Sequence, residues 1–366
     1  MMKRPGCFKG APRRAALLLL ALCVFFIFKL SFSPDRCEKE PVDQERAKRA
    51  QTYAKQVLKE ECRPSFVKKA MNRLFTKKYS TNMPPFMSTT AAINASLFKY
   101  SPPFGFRNCL SELQDILEEM PEYNLPEELK SKHCKRCIVI GNGGILHGLQ
   151  LGHILNQFDI AIRLNSAPVH GHSKDVGNKT TIRMAYPEGA PLSKEEYLHN
   201  GLFVAVLFKR VDFNWLQAIL RNESLPIWIR LFFWKHVADK IPVGLKQFRI
   251  LNPLIIKETA MDLLEYPEPQ QKWWGWDKNV PTLGVTALVL ATHLCDEVSF
   301  VGFGYDLSQP DTSLHYYNDQ CMTEMHLQTM HDVTMETKFL QKLVKEGVVR
   351  DLTGGIHCDF CEAAGS

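Results

Sequence analysis

The stretch from Cys134 to Glu188 constrains the fold of this chain more than any other. Its apolar run Cys137-Ile-Val-Ile140 drives into a glycine turn, Gly141-Asn142-Gly143-Gly144. A second run, Gln157 to Asn165, reads as a strand that ends on an amide. Between them Ile145, Leu146, Leu149, Ile154 and Leu155 recur at helical spacing and predict a short helix. Strand, glycine turn, helix and strand make a βαβ unit, which implies parallel strands and a right-handed crossover. Ligands of such sheets bind beyond the carboxyl ends of the strands. The site is therefore expected at Asn142 and Asn165, one after each strand.

The rest of the chain continues the alternation. Thr181–Tyr186, Leu202–Phe208, Phe248–Leu251 and Glu297–Gly304 read as strands. Asp212–Arg221, Ile255–Leu264, Leu283–Cys295 and Val333–Lys345 read as helices. The expected fold class is α/β, one doubly wound and mostly parallel sheet. Upstream, Ala47, Ala50, Tyr53, Ala54, Val57 and Leu58 mark an amphipathic helix that packs on this domain or on a neighbour.

Charge is informative once it is divided. Residues 1–33 contain six basic residues and no acid, and the whole chain of 366 residues carries +6, so the body is neutral overall. Nothing there suggests nucleic-acid binding. Ala15–Phe28 is continuously apolar, and the run reaches Phe32 if Lys29 snorkels to the interface. A cleaved signal peptide has the same layout. The residues after the run, Phe28-Lys-Leu-Ser-Phe-Ser-Pro34, are bulky where a signal peptidase wants small ones, which favours an uncleaved anchor. The expected organisation is a cytoplasmic tail at 1–14, an anchor at 15–33, a stem and linker at 34–105, and a lumenal catalytic domain at 106–366. Cysteine usage fits an oxidising lumen: nine cysteines follow the anchor, so at least one stays outside intramolecular pairing. Sequons at Asn94, Asn178 and Asn222 fit the same compartment.

Three candidate sites follow. The glycine turn invites a dinucleotide reading, but Leu146 stands where the third glycine would be. The acid expected at the end of the second strand is Asn165 instead. A nucleotide with one phosphate fits better, since Asn142 and Asn165 can bond a ribose or base edge without charge; a purely structural turn is the alternative. No Asp-x-Asp occurs that would hold a divalent cation for a sugar diphosphate. The pairs Cys134/Cys137 and Cys358/Cys361 are spaced too widely for a zinc ribbon. Finally, His315-Tyr-Tyr-Asn318 and His331, the latter just before a helix, offer imidazoles suited to general acid or base work.

Taken in order, these residues resemble the four short motifs of the animal sialyltransferases, glycosyltransferase family 29. The large motif runs from Cys137 to about Glu188 and includes Gly-Asn142-Gly-Gly and Arg-Leu-Asn165-Ser-Ala-Pro. The small motif runs from Pro281-Thr-Leu-Gly284 through Cys295-Asp-Glu-Val to Gly302-Phe-Gly304. His315-Tyr-Tyr-Asn318 matches the third, and His331 with Glu336 five residues on matches the last. The resemblance implies a GT-A-like variant with a Rossmann-like sheet, no metal cofactor, and CMP-sialic acid as donor. It places Asn142, Asn165, Tyr186, Thr282, Leu283, Gly284, Phe303 and Gly304 around CMP. It gives His315 the donor phosphate, His331 the role of general base, Glu336 a supporting role, and pairs Cys137 with Cys295. The implied acceptor is a terminal galactose on a glycolipid or glycoprotein. The implied location is the Golgi membrane, where the chain acts alone, as a homo-oligomer, or beside other glycosyltransferases. Two departures stand out: some relatives have Ser at Gly143, and two adjacent histidines at Leu314-His315. A non-catalytic lumenal binding protein on the same fold is the reading from a different class.

Overall fold

The computed structural model describes residues 37, 39, 41–197, 200–269, 279–327 and 330–361. The expected anchor at 15–33 lies outside the described residues. Among those described, no helix is long and apolar enough to cross a membrane.

Among the described residues, seven strands form one sheet in which every pairing is parallel. They are β1 Arg136–Ile140, β2 Ile160–Leu164, β3 Ile182–Ala185, β4 Leu202–Ala205, β5 Phe248–Ile250, β6 Glu297–Val301 and β7 Arg350–Asp351. Their order across the sheet is β5-β4-β3-β2-β1-β6-β7. The chain steps outward from β1 to β5, then returns to lay β6 against the other side of β1. The order therefore reverses between β1 and β6. In doubly wound sheets the crevice at such a reversal is the binding site.

The strands are apolar because both faces are covered. On one face lies α5, Leu283–Leu294, in which every residue but Gly284 is buried. It packs with α2 (Phe66–Leu74) and with α6 (Val333–Lys345) in one core cluster. On the other face, α3 (Leu110–Glu119) and α4 (Arg210–Arg221) bury Leu113, Ile116, Phe213 and Trp215. A third cluster seats α1, Gln44–Lys59, through Ala47, Ala50, Ala54 and Val57. Of the two sequence-based options for α1, the structure takes packing on this domain.

One expected element is not continuous. The apolar pattern from Ile145 to Leu155 predicts a helix, yet the chain forms a 3₁₀ turn at Gly144–Leu146 and a short helix at Gly152–Leu155. Two residues between them, Gly148 and Gln150, have positive φ of 75° and 52°. Tertiary contacts hold them there. The Asp175 carboxylate accepts from the Gly148 and Gln150 amides at 3.0 and 2.9 Å. Val42 sits where a Gly148 side chain would be, 2.3 Å from an ideal Cβ.

Among the described residues, four disulfides join Cys37 to Cys321, Cys62 to Cys134, Cys137 to Cys295 and Cys358 to Cys361. Cys109 is buried and free. The Cys137–Cys295 bridge ties the start of β1 to the end of α5, away from the carboxyl ends of the strands where the crevice lies. Asn94, Asn178 and Asn222 are all exposed.

Candidate active site

The carboxyl ends of β1, β2, β3 and β6 open into one cavity of about 480 Å³. Asn142, Asn165 and Tyr186 enter it from the ends of β1, β2 and β3. Thr282, Leu283 and Gly284 enter it from the start of α5, and Phe303 and Gly304 from the end of β6. His315, His331 and Glu336 complete its wall. The structure thus gathers onto one surface eleven residues that the sequence scatters over nearly two hundred positions.

The glycine turn is built for closeness, not for a phosphate nest. An added Cβ at Gly141 or Gly143 would fall 2.5 or 2.7 Å from the Gly302 carbonyl. Only glycine lets the two strand ends come that near. The turn's amides are already used: Gly141 donates to Val301, Gly143 to Gly302 and Gly144 to Leu314, at 2.9, 3.0 and 3.1 Å. A pyrophosphate would need those amides pointing outward, so the dinucleotide reading fails on geometry. What does face the cavity is amide side chain. The Oδ1 atoms of Asn142 and Asn165 are buried with no hydrogen-bond partner. A buried unpartnered acceptor is costly unless a ligand supplies the donor.

Asn165 is fixed from three sides. Its φ is +49°, in the left-handed region that Asn tolerates better than most residues. Its amide donates to the Met184 carbonyl at 2.9 Å. From behind, the Arg183 guanidinium donates to the carbonyls of Asn165 and Ala167 at 3.1 and 2.8 Å, and pairs with Glu196 at 3.1 Å. Gly189 makes room for the side chain, since a Cβ there would lie 2.4 Å from Asn165 Oδ1. Neither Arg183 nor Gly189 was singled out from sequence; an arginine inside an apolar strand was the one available signal.

His315 is placed by the same turn. Gly143 and His315 form an antiparallel bridge, and the Tyr316 amide donates to the Asn142 carbonyl at 3.1 Å. The imidazole stacks on Tyr317 at 5.0 Å and meets Asn318 Oδ1 through Nδ1 at 3.2 Å. Burial holds its pKa below the usual histidine value.

His331 lies two residues before α6. Its Nδ1 is 2.7 Å from the Val280 carbonyl oxygen. A carbonyl only accepts, so Nδ1 carries the hydrogen and Nε2 carries the basic lone pair. Burial also lowers the His331 pKa, which keeps the ring neutral. Glu336, one turn into α6, reaches the cap of α5. Its Oε1 accepts from the Thr282 amide at 2.7 Å and its Oε2 from the Thr282 hydroxyl at 2.5 Å. Burial pushes the Glu336 carboxyl up to about 7.

Lys209 is a further lining residue that sequence reading missed. Its ammonium sits 2.8 Å from both the Glu188 and Asp212 carboxylates, and burial raises the Asp212 pKa to about 6. A cation bridging two carboxylates at the cavity wall can orient polar groups there without presenting net positive charge.

Comparison with known proteins gives this geometry a context. A family model described as glycosyltransferase family 29 (sialyltransferase) matches residues 86–348. A lactosylceramide alpha-2,3-sialyltransferase of Pan troglodytes is 61% identical over 98% of this chain and 100% of its own length. The Homo sapiens protein of the same name is 60% identical over 98% of this chain and 87% of its own length. A Mus musculus CMP-N-acetylneuraminate-beta-1,4-galactoside alpha-2,3-sialyltransferase is 40% identical over 81% of this chain and 78% of its own length. A solved crystal structure of a mammalian sialyltransferase has the same fold, with a TM-score of 0.62 at 22% identity over 80% of this chain and 97% of that one.

Proposed function

We propose, on the premise that this chain belongs to glycosyltransferase family 29, the sialyltransferases, that it transfers sialic acid from CMP-sialic acid to the 3-hydroxyl of the terminal galactose of lactosylceramide, forming ganglioside GM3. Sialyl transfer is the family's reaction. The acceptor reading is carried by one observation: identity is about 60% across nearly the whole chain with the lactosylceramide enzymes, against 40% with the beta-1,4-galactoside enzyme. Transfer to galactose of another glycolipid or a glycoprotein is the nearest competing reading.

The mechanism we assign is a single displacement. Asn142 and Asn165 offer their orphaned oxygens to donor groups of the nucleotide, and Phe303 supplies an apolar wall. As the galactose O3 forms its bond to sialic acid C2, the bond from C2 to the CMP phosphate oxygen breaks. His331 Nε2 takes the proton from O3. His315, protonated on binding the donor, stabilises the charge that develops on the leaving phosphate. Attack opposite the leaving group inverts the anomeric centre. A single phosphate facing an imidazolium gives this chemistry no need of a divalent cation, so activity is expected to survive chelation by EDTA.

The anchor at 15–33 sets the chain in the Golgi membrane with its body in the lumen. Disulfides and three exposed sequons support that compartment. The test is direct. Full-length chain is incubated with CMP-sialic acid, lactosylceramide and a desialylated glycoprotein, followed by linkage analysis of both products. Alpha-2,3-sialylated lactosylceramide as the main product is expected. Preferential labelling of the glycoprotein would overturn the acceptor assignment.

A further inference from the structure

Segment 225–238 follows α4 and carries the most exposed apolar surface among the described residues. Ile227 is 80% exposed, Trp228 65%, Leu231 80%, Phe232 63% and Trp234 74%. These side chains are not loose. Leu225, Ile229, Phe233 and Val237 recur every fourth residue and are buried in the core cluster under α4. Trp215 adds a tie, its indole donating to the Ala238 carbonyl at 2.8 Å. The segment is a platform, nailed down along one edge and presenting aromatic and aliphatic side chains outward along the other. A contiguous apolar patch of this kind marks an interaction surface.

We propose that this platform dips into the lipid leaflet that carries the acceptor, so that the cavity mouth meets the sugar headgroup at the membrane surface. The inference rests on lactosylceramide as acceptor. Three observations choose a bilayer as the occupant. First, the platform is continuous with the site: Phe232 and Trp234 line the cavity while remaining largely exposed. A glycolipid acceptor has its sugar in that cavity and its acyl chains in the leaflet, so apolar protein surface is wanted at the junction. Second, the composition is interfacial. Two tryptophans and a phenylalanine stand beside exposed Lys235, His236 and Lys240, the mix that settles at headgroup level. Third, the chain returns to the site almost as soon as it leaves the proposed anchor. Cys37 is bonded to Cys321, and its amide donates to the Asp319 carbonyl at 2.9 Å, in the loop that carries His315. Cys37 is only four residue steps from position 33, a reach of at most about 14 Å even when fully extended. The loop on the cavity wall is thereby held close to the membrane.

The test uses the full chain reconstituted in phosphatidylcholine vesicles with and without lipids brominated on the acyl chains. Bromolipid should quench tryptophan emission, and Trp228→Phe should remove part of the quenched signal. In the same vesicles, Ile227→Ser/Trp228→Ser/Leu231→Ser should lower kcat/KM for lactosylceramide by about ten-fold or more. It should leave kcat/KM for soluble lactose unchanged, because none of the three residues lines the cavity. Emission that bromolipid does not touch overturns the proposal. If that emission is also shielded from aqueous acrylamide, a second copy or another protein covers the patch; if it is not shielded, the surface is free. Equal losses on both acceptors also overturn it, since the platform would then shape the site instead of meeting the membrane. Quenching reads insertion without any acceptor, so an enzyme that inserts but ignores lactosylceramide refutes the acceptor assignment alone.

Discussion

Glu336 holds Thr282 by both carboxylate oxygens, one on the amide and one on the hydroxyl, at 2.7 and 2.5 Å. The same Thr282 hydroxyl caps α5 at the Val285 amide, 3.3 Å away. One carboxylate therefore locks the helix that follows His331 to the start of α5 on the cavity wall. Two residues earlier in the chain than Thr282, the Val280 carbonyl fixes the His331 ring. His331, the proposed proton acceptor, and the proposed donor wall are registered to each other by two contacts on one short strip.

This lock has a pH signature. Burial raises the Glu336 pKa to about 7 in the folded chain, above the ordinary value near 4.3 of an unfolded glutamate. Between those values the folded state binds more protons than the unfolded one, so stability falls as pH rises through that window. The expected contribution is roughly 2–5 kcal/mol. Glu336→Gln, which can still accept from the Thr282 amide, should flatten that part of the profile of Tm against pH. An unchanged slope would show that Glu336 is not the titrating group.

Gly189→Ala tests the Asn165 pocket without replacing a polar side chain. The new methyl would sit 2.4 Å from Asn165 Oδ1 and 2.8 Å from its Cγ, so the buried amide must turn as a whole. Tm should fall modestly, while KM for CMP-sialic acid should rise about ten-fold, in keeping with one displaced hydrogen bond. Steady-state kinetics with donor varied is the measurement, and an unchanged KM would remove Asn165 from the donor site.

Donor affinity should depend on pH through His315. Burial keeps that imidazole neutral in the empty site, whereas a bound phosphate favours the imidazolium. Binding should therefore take up a proton, and CMP affinity should weaken as pH rises past the pKa of the empty-site ring, which lies below the usual value near 6.5. Calorimetric titration in buffers of differing ionisation enthalpy counts the proton directly. His315→Gln should bind more weakly and take up none.

The strand ends and the cavity they form were legible because a parallel sheet needs unbroken apolar runs, and Gly141-Asn142-Gly143 and Leu164-Asn165 each punctuate one. The order reversal beside β1 was not legible, since pairing of β1 with β6 is a contact across more than 150 residues. The helix expected at Ile145–Leu155 failed for a related reason: Val42 and Asp175 dictate the backbone at Gly148 and Gln150, and both are remote in sequence. Gly189 acts through the space it leaves the Asn165 side chain, which no local pattern encodes, and Arg183 acts through the hydrogen bonds it donates to the carbonyls of Asn165 and Ala167, with its place inside an apolar strand as the only local sign. The histidines stood out as residue types, but Val280 as the partner of His331 is a backbone carbonyl and leaves no mark in the sequence.

The central claim is that His331 removes the acceptor proton while the nucleotide is held elsewhere. His331→Ala should lower kcat by about 10²–10⁴-fold, the usual worth of a positioned base, with CMP affinity retained. Measuring kcat on lactosylceramide beside CMP binding by calorimetry decides it. A large loss of kcat with intact CMP binding is the predicted result. A parallel collapse of CMP binding, or a kcat close to that of the unaltered chain, would contradict the assignment.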